Sequence, residues 1–294
     1  MFDEIIFQLS KRRLIRSNDQ SPAVKGGSST AAYVQWRDDA LENEFRRCFD
    51  IKLIQGKDIL DLGCGTGGLT FLLIELGAKS CVGIDLSHKD IEIANSKLTN
   101  QPIVFQCASN TETIDLSDQS VDVVACFDVM EHIIEYRSII NEWRRVLRPG
   151  GRVLISWQPW FHPYGHHARG YIPIPWAHVF LKHRQRIEIC ARIVDLPEFE
   201  APWWDRDENG NTINRFRDAL KNRHLADKSN FLNELTMSRF ERICQDSRLA
   251  VERRIFQPFN GPAITRWLSH LLSQLPGIRE FFTSKAIYIL KKEE

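Results

Sequence analysis

The sequence predicts an α/β protein built on a parallel sheet with helices on both faces. Three observations carry this. Short apolar runs alternate with helix-length segments from residue 58 to residue 157. A cluster of glycines, Gly63 to Gly68, sits at the first strand-to-helix turn. The composition, 43% hydrophobic and 26% charged over 294 residues, is that of a globular chain that can bury a core without staples. Strands and helices alternating at this spacing pack as a parallel sheet.

The elements follow in order. Residues 17 to 30, SNDQSPAVKGGSST, read as a polar loop after a short N-terminal helix. Residues 31 to 50 read as a helix with Trp36, Leu41, Phe45 and Cys48 on roughly one face. Strands are expected at 58 to 62, 80 to 86, 103 to 107, 121 to 127 and 152 to 157, with helices near 69 to 76, 89 to 98 and 136 to 147. Residues 158 to 248 break the rhythm. Six of the twelve prolines, five of the eight tryptophans and five of the nine histidines fall between Trp157 and Trp204. So aromatic a stretch is an insertion with its own helices rather than a solvated linker. Alternation returns with a strand at 249 to 256, a helix over 263 to 282 broken near Pro276, and a last strand at 285 to 290.

Charge and cysteine content narrow the classes. Thirty-nine Lys plus Arg against thirty-eight Asp plus Glu give +1. That removes the strongest general argument for a nucleic-acid or anionic-membrane binder. No run of about 18 apolar residues predicts a transmembrane helix. Met1 to Arg16 carries Asp3, Glu4 and a basic KRR, unlike the long apolar core of a secretory signal. The seven cysteines form no CxxC pair, so they read as small buried hydrophobes in a reducing, cytoplasmic setting.

The most informative stretch is Asp58-Ile-Leu-Asp61-Leu-Gly63-Cys64-Gly65-Thr66-Gly67-Gly68. Its glycines permit positive φ and close approach of a ligand, and the helix that follows favours a negative group at its start. Gly63, Gly65 and Gly68 also satisfy G-x-G-x-x-G, so a dinucleotide is one reading. Two features favour another ligand. Asp61, two residues before the first glycine, would repel a pyrophosphate but meet an amino group, and Gly67 adds the spacing G-x-G-x-G.

Asp61-x-Gly63-x-Gly65-x-Gly67 resembles the first motif of class I S-adenosylmethionine-dependent methyltransferases. Four further segments agree in order: Ile84-Asp85 closing the second strand, Asp118-Gln-Ser-Val-Asp122, Asp128-Val-Met-Glu131-His132-Ile133, and Leu147-Arg-Pro-Gly-Gly151. The resemblance covers residues 58 to 157. It implies a Rossmann-like sheet of seven strands, six parallel and the last antiparallel, with a helical lid inserted between strands 5 and 6. It also implies four segments: N-terminal helices and cap over 1–50, cofactor-binding core over 51–157, lid and acceptor insertion over 158–248, and completion of the sheet over 249–294.

The same resemblance assigns roles to residues. Gly63, Cys64, Gly65 and Gly67 would shape the loop under the methionine part of S-adenosyl-L-methionine, and Asp61 would reach its amino group. Asp85 would bind the ribose and Leu86 would pack on the adenine. Where the family carries an Asp for the adenine amino group this chain has Ser109-Asn110, so that contact is altered or made by an amide oxygen. Phe127 and Asp128 would line the floor near the sulfonium, with plain core packing the alternative for Phe127.

Methyl transfer needs alignment and, for an oxygen acceptor, a base. His132 follows the fourth strand and is one candidate. The segment Phe161 to Tyr171, aromatic and rich in histidine, follows the fifth strand, whose end borders the ligand crevice in such sheets. With no lysine nearby in the sequence, His166 or His167 is the leading base. Asp128, Glu131 and His132 offer a metal-like D-x-x-E-H, but an Asp in first position is shared with metal-free relatives, and no metal is expected. Asp205-x-Asp207-x-Asn209-Gly210 begins like a calcium loop and then places Phe216 where a bidentate Glu is required. The run Arg144, Arg145 and Arg148 reads as a solvated helix face. The expected function is methyl transfer to a small-molecule acceptor, at oxygen. The alternatives are a methyltransferase acting on RNA or protein, disfavoured by the near-zero charge, and a nicotinamide-dependent oxidoreductase on a similar sheet.

Overall fold

The computed structural model describes residues 2–16, 30–165, 167–202, 205–207, 209–222, 233–259 and 262–294. Its helices are α1 (Phe2–Arg16), α2 (Thr30–Cys48), α3 (Gly68–Glu75), α4 (His88–Ser96), α5 (Tyr136–Val146), α6 (Ala177–Phe180), α7 (His183–Val194), α8 (Arg215–Lys221), α9 (Met237–Asp246) and α10 (Ala263–Leu272). Its strands are β1 (Asp58–Leu62), β2 (Ser80–Asp85), β3 (Ile103–Cys107), β4 (Val121–Phe127), β5 (Leu147–Trp157), β6 (Leu249–Gln257) and β7 (Lys285–Lys292).

The seven strands form one sheet in the order β3-β2-β1-β4-β5-β7-β6. The pairs among β1 to β5 are parallel, and β7 runs antiparallel between β5 and β6. The fold class expected from the sequence is thereby established. β5 begins at Leu147, earlier than the pattern suggested, because Leu147 pairs with Val121 before a register shift carries the strand on to Arg152 opposite Val123. The helix expected over 263 to 282 stops at Leu272, and a separate short turn of helix occupies Arg279–Phe282 beyond Pro276.

Alternate residues of the central strands feed two cores, as the period-2 geometry of a strand requires. Val124, Cys126, Val153, Ile155, Trp157, Tyr288 and Leu290 pack with Trp143 of α5 and Phe240 of α9. Val123, Ala125, Phe127, Leu154, Ile287 and Ile289 pack with Phe45 of α2 and Leu73 of α3. Arg145 and Arg148 correct the solvated-face reading. Arg145 donates to the carbonyls of Ile114 and Leu116 and to Glu142 and Asp118, pinning the chain before β4. Arg148 bridges Asp58 on β1 and Asp122 on β4 at 3.0 Å each. A guanidinium fork satisfies several acceptors at once, which a charge count along the sequence does not reveal.

The chain divides into two compact units, one of residues 37–159 and 233–294, the other of 1–36 and 160–232. These limits differ from the four expected segments for a packing reason. Phe240, Ile243 and Cys244 of α9 are buried in the sheet's core, so residues from 233 onward group with the sheet. In the second unit, Ile6 and Phe7 of α1 share a core with Tyr171, Ile187, Cys190 and Phe216. All seven cysteines are free thiols, and Cys107 alone among them is exposed.

Candidate active site

The turn from β1 to α3 is fixed from below. The Gly63 and Cys64 N–H groups both donate to Ile84 O on β2, at 2.7 and 3.1 Å. Gly63 has φ +77, and a Cβ there would collide with the Val129 side chain. Gly65 has φ +52 and nothing within 4 Å of where a Cβ would stand, so the backbone is open to a ligand at that point. Gly67 is left-handed and caps α3. The Cys64 side chain turns away into the core with Ile91, Ala94 and Phe105, where burial raises its thiol pKa far above the ordinary range. Any part Cys64 plays toward a ligand is therefore played by its backbone.

Two carboxylates frame the loop. Asp61 is 1% exposed and accepts from Thr70 Oγ1 of α3 at 2.6 Å. Burial, with a smaller push from Asp85, raises its pKa to about 7. Asp85, at the end of β2, accepts the Gly65 N–H on Oδ2 and the Ser87 N–H on Oδ1, both at 2.8 Å. A carboxylate oxygen has two lone pairs, so each keeps one for a further donor. Leu86 beside it is 53% exposed. Asn110 is held within its own loop. Its amide oxygen accepts from Glu112 N, Thr113 N and Thr113 Oγ1 at 2.8 to 3.1 Å. Its Nδ2 donates to Ser109 Oγ. The amide is a loop cap whose oxygen is engaged by three local donors.

Phe127 takes the alternative role. It is 3% exposed and packs against Phe45 and Phe49, with ring centroids 6.2 and 5.3 Å away. Asp128, the next residue, has φ +55, an uncommon conformation for a side-chain-bearing residue. It is anchored by its N–H to Ser156 O at 2.8 Å and by its carboxylate to Lys285 Nζ. Lys285 also donates to Glu44 Oε2 of α2 at 2.7 Å. Burial opposes the lysine's charge, but Asp128 and Glu44 outweigh it and push the pKa up to about 12. Glu131 is buried close by. Its desolvation, with the Asp128 charge second, lifts its pKa to about 8.

Lys285 and Glu44 were not found from the sequence. An antiparallel last strand starts at the carboxyl end of the parallel ones. The first residue of β7 therefore lands beside the end of β4, although 157 positions separate Lys285 from Asp128. The signal was available: a lysine opening the strand expected to run antiparallel.

Among the base candidates, His132 is an exposed residue of the short helical turn Met130–His132 in the sheet unit. His167 belongs to the other unit, is exposed, and has φ +49 with its N–H on Tyr164 O. His166 lies outside the described residues. The other described histidines of residues 160–183 have structural settings. His162 Nδ1 accepts the Tyr164 N–H at 3.1 Å, and burial, then the charge of His167, lowers its pKa to about 3. His178 lies 2.7 Å by Nε2 from Trp160 O. The calcium-like start is a turn: Asp207 accepts the N–H groups of Asn209 and Asn211, while Asp205 is buried with Arg215 and the Tyr171 hydroxyl.

β1 stands between β2 and β4, so the chain leaves it toward opposite sides of the sheet in the two halves. In an open α/β sheet, the crevice beyond the strand ends at such a switch point is where ligands bind. The glycine turn, Asp61, Asp85 and Asp128 all stand at the ends of β1, β2 and β4.

Comparison with known proteins agrees. Residues 60–155 match the family model described as a methyltransferase domain. The ubiquinone biosynthesis O-methyltransferase of Idiomarina loihiensis is 32% identical over 103 residues, 34% of this chain and 42% of that one. The Rhizobium rhizogenes protein of the same name is 32% identical over 127 residues, 42% of this chain and 50% of that one. The chain thus spans about half the length of the curated relatives it matches. A solved S-adenosylmethionine dependent methyltransferase from Mesorhizobium loti superposes with a TM-score of 0.52 at 17% identity, covering 85% of this chain and 96% of the other. A protein from Pyrococcus horikoshii does so with 0.50 at 17%, covering 93% and 97%. At such identities these two show the fold.

Proposed function

We propose that this chain, a class I methyltransferase by its domain and fold, transfers a methyl group from S-adenosyl-L-methionine to an oxygen of a small-molecule acceptor. The observation that carries the reading is the pairing of an open Gly65 backbone with a pinned Asp85 carboxylate at the switch point of the sheet. The residues fit the cofactor. Gly65 leaves the space a Cβ would fill, and both Asp85 oxygens retain a lone pair for the ribose hydroxyls. Asp61, whose proton burial holds up to about pH 7, would supply negative charge to the cofactor's amino group beneath the loop once that proton is lost. S-adenosylmethionine, when bound, supplies an electrophilic methyl on a good leaving group.

The chain's own work is then to align, to exclude water and to remove a proton. Alignment of two bound reactants accounts for most of the acceleration in displacements of this kind. The Asp128–Lys285–Glu44 set ties the chain just past β4 to α2 and β7. The oxygen acceptor is supported by the O-methyltransferase names of the relatives, and a base for it would come from His132, His166 or His167. Calorimetric titration with S-adenosylmethionine and, separately, NADH tests the reading. Binding of the first is expected. Binding of NADH alone would overturn it in favour of an oxidoreductase.

A further inference from the structure

Helix α10 is built with its faces reversed. Its one fully buried position is polar. Ser269 is 2% exposed, and its Oγ donates to Arg266 O and accepts the Phe259 N–H, both at 3.0 Å. Ser273, just past the helix, is fully buried and donates to His270 O at 2.8 Å. Its outward side carries Ile264, Trp267, Leu268 and Leu271, exposed by 63, 59, 42 and 48%, continued by Leu275 and Ile278 at 47 and 40%. The helical residues fall at i, i+3, i+4 and i+7, one stripe of an amphipathic helix. Such a stripe ordinarily faces the core.

The chain segment that carries the stripe is one-signed in charge. No Asp or Glu occurs between Glu252 and Glu280, whereas Arg253, Arg254, Arg266, His270 and Arg279 all do. Arg254 is committed to Glu241, but Arg253 and Arg266 are exposed. In a chain whose basic and acidic residues number 39 and 38, this local asymmetry is hidden by the whole-chain sum.

We propose that the α10 face docks on an anionic lipid bilayer surface. Tryptophan and leucine on the outward side, arginine beside them and no acid are the features of a helix lying in the plane of a membrane interface. Ten residues cannot span the ~30 Å hydrocarbon core. No helix among the described residues is long and apolar enough to cross it. The absence of carboxylates is what selects lipid over a second copy of the chain: a neutral protein surface tolerates acids at its rim, an anionic bilayer repels them. The inference is independent of the methyl-transfer reading.

Co-sedimentation of the full chain with vesicles of phosphatidylglycerol and phosphatidylcholine in equal parts tests this, with pure phosphatidylcholine vesicles beside it. Binding is expected to the anionic vesicles and to fall as salt is added. Trp267→Ser with Leu271→Ser should lower it about tenfold or more, and Arg266→Glu by about fivefold, with unfolding curves of both variants unchanged. No sedimentation of the wild-type chain with anionic vesicles would overturn the proposal. So would a wild-type dimer in light scattering that becomes monomeric in the Trp267→Ser variant, because a second copy would then cover the face.

Discussion

Lys285 Nζ lies 2.8 Å from Asp128 Oδ1 and 2.9 Å from Oδ2, joining the first residue of β7 to the left-handed residue that follows β4. The same ammonium donates to Glu44 on α2. One cation thus ties a helix and two strand ends together beside the buried Glu131. Three carboxylates around a single lysine make the arrangement asymmetric: removing the lysine costs more than removing any one acid.

Lys285→Met is accordingly expected to destabilise the fold by on the order of 3 kcal/mol, as loss of one partner from a buried charge pair does. Adding Glu44→Gln should restore part of the loss, since one uncompensated buried charge is removed with it. Urea unfolding of the single and double variants measures both. Equal stability of Lys285→Met and wild type would show that the lysine is not what holds these elements.

Asp85→Ala is expected to weaken S-adenosylmethionine binding by about 1.5–3 kcal/mol, the range for hydrogen bonds involving a charged group. The structure adds a second consequence. The Gly65 and Ser87 N–H groups lose their acceptor, so the loop and the start of α4 should loosen together. Calorimetry gives the first effect and amide hydrogen exchange at Gly65 and Ser87 the second. Unchanged affinity in a folded variant would remove Asp85 from the site.

Asp61 and Glu131 set a pH dependence. Burial, as the larger cause, raises their pKa values from 3.8 to about 7 and from 4.5 to about 8. Between the unfolded and folded values the folded state holds the extra proton. Each group's stabilising contribution is therefore greatest below its unfolded value, is lost as pH rises through the window, and stays lost above the folded value. Asp61→Asn keeps an acceptor for Thr70 and removes its share of that loss. It should stabilise the ligand-free protein at pH ~8, by up to a few kcal/mol at one pKa unit per ~1.4 kcal/mol, while weakening the cofactor's hold. Thermal unfolding of both proteins across that window should show curves that converge toward acid. Parallel curves would mean that Asp61 does not titrate there.

The strands of the core were legible because each is a short apolar run ended by a turn. β1, β3 and β4 have the limits their residues suggested. The loop residues Gly63, Gly65 and Asp85 were legible because backbone conformation and charge at a strand end leave few substitutes. What escaped depends on the third dimension. Phe127 is flanked by apolar residues on β4, and only the sheet's alternation decides that its ring joins Phe45 rather than the crevice. Asn110 resembles an adenine contact by position, yet three local donors consume its oxygen. Lys285 and Glu44 meet across 241 positions, a separation no local pattern encodes.

The base is the last expectation. Of the histidines between residues 160 and 183, His162 and His178 are held by backbone groups, whereas His167 is exposed and stands in a left-handed turn with φ +49. That conformation is costly for most residues but tolerated by asparagine. His167→Asn therefore removes the imidazole while sparing the backbone, which His167→Ala does not. If His167 takes the acceptor's proton, His167→Asn should lower kcat by about 10²–10⁴-fold with cofactor affinity little changed. The lower limb of the pH–rate profile should vanish with it. Release of S-adenosylhomocysteine from a panel of hydroxyl-bearing acceptors provides the assay. A variant that loses acceptor binding with kcat intact would make His167 a recognition residue, and the same experiment on His132→Asn and His166→Asn would then decide between the remaining imidazoles.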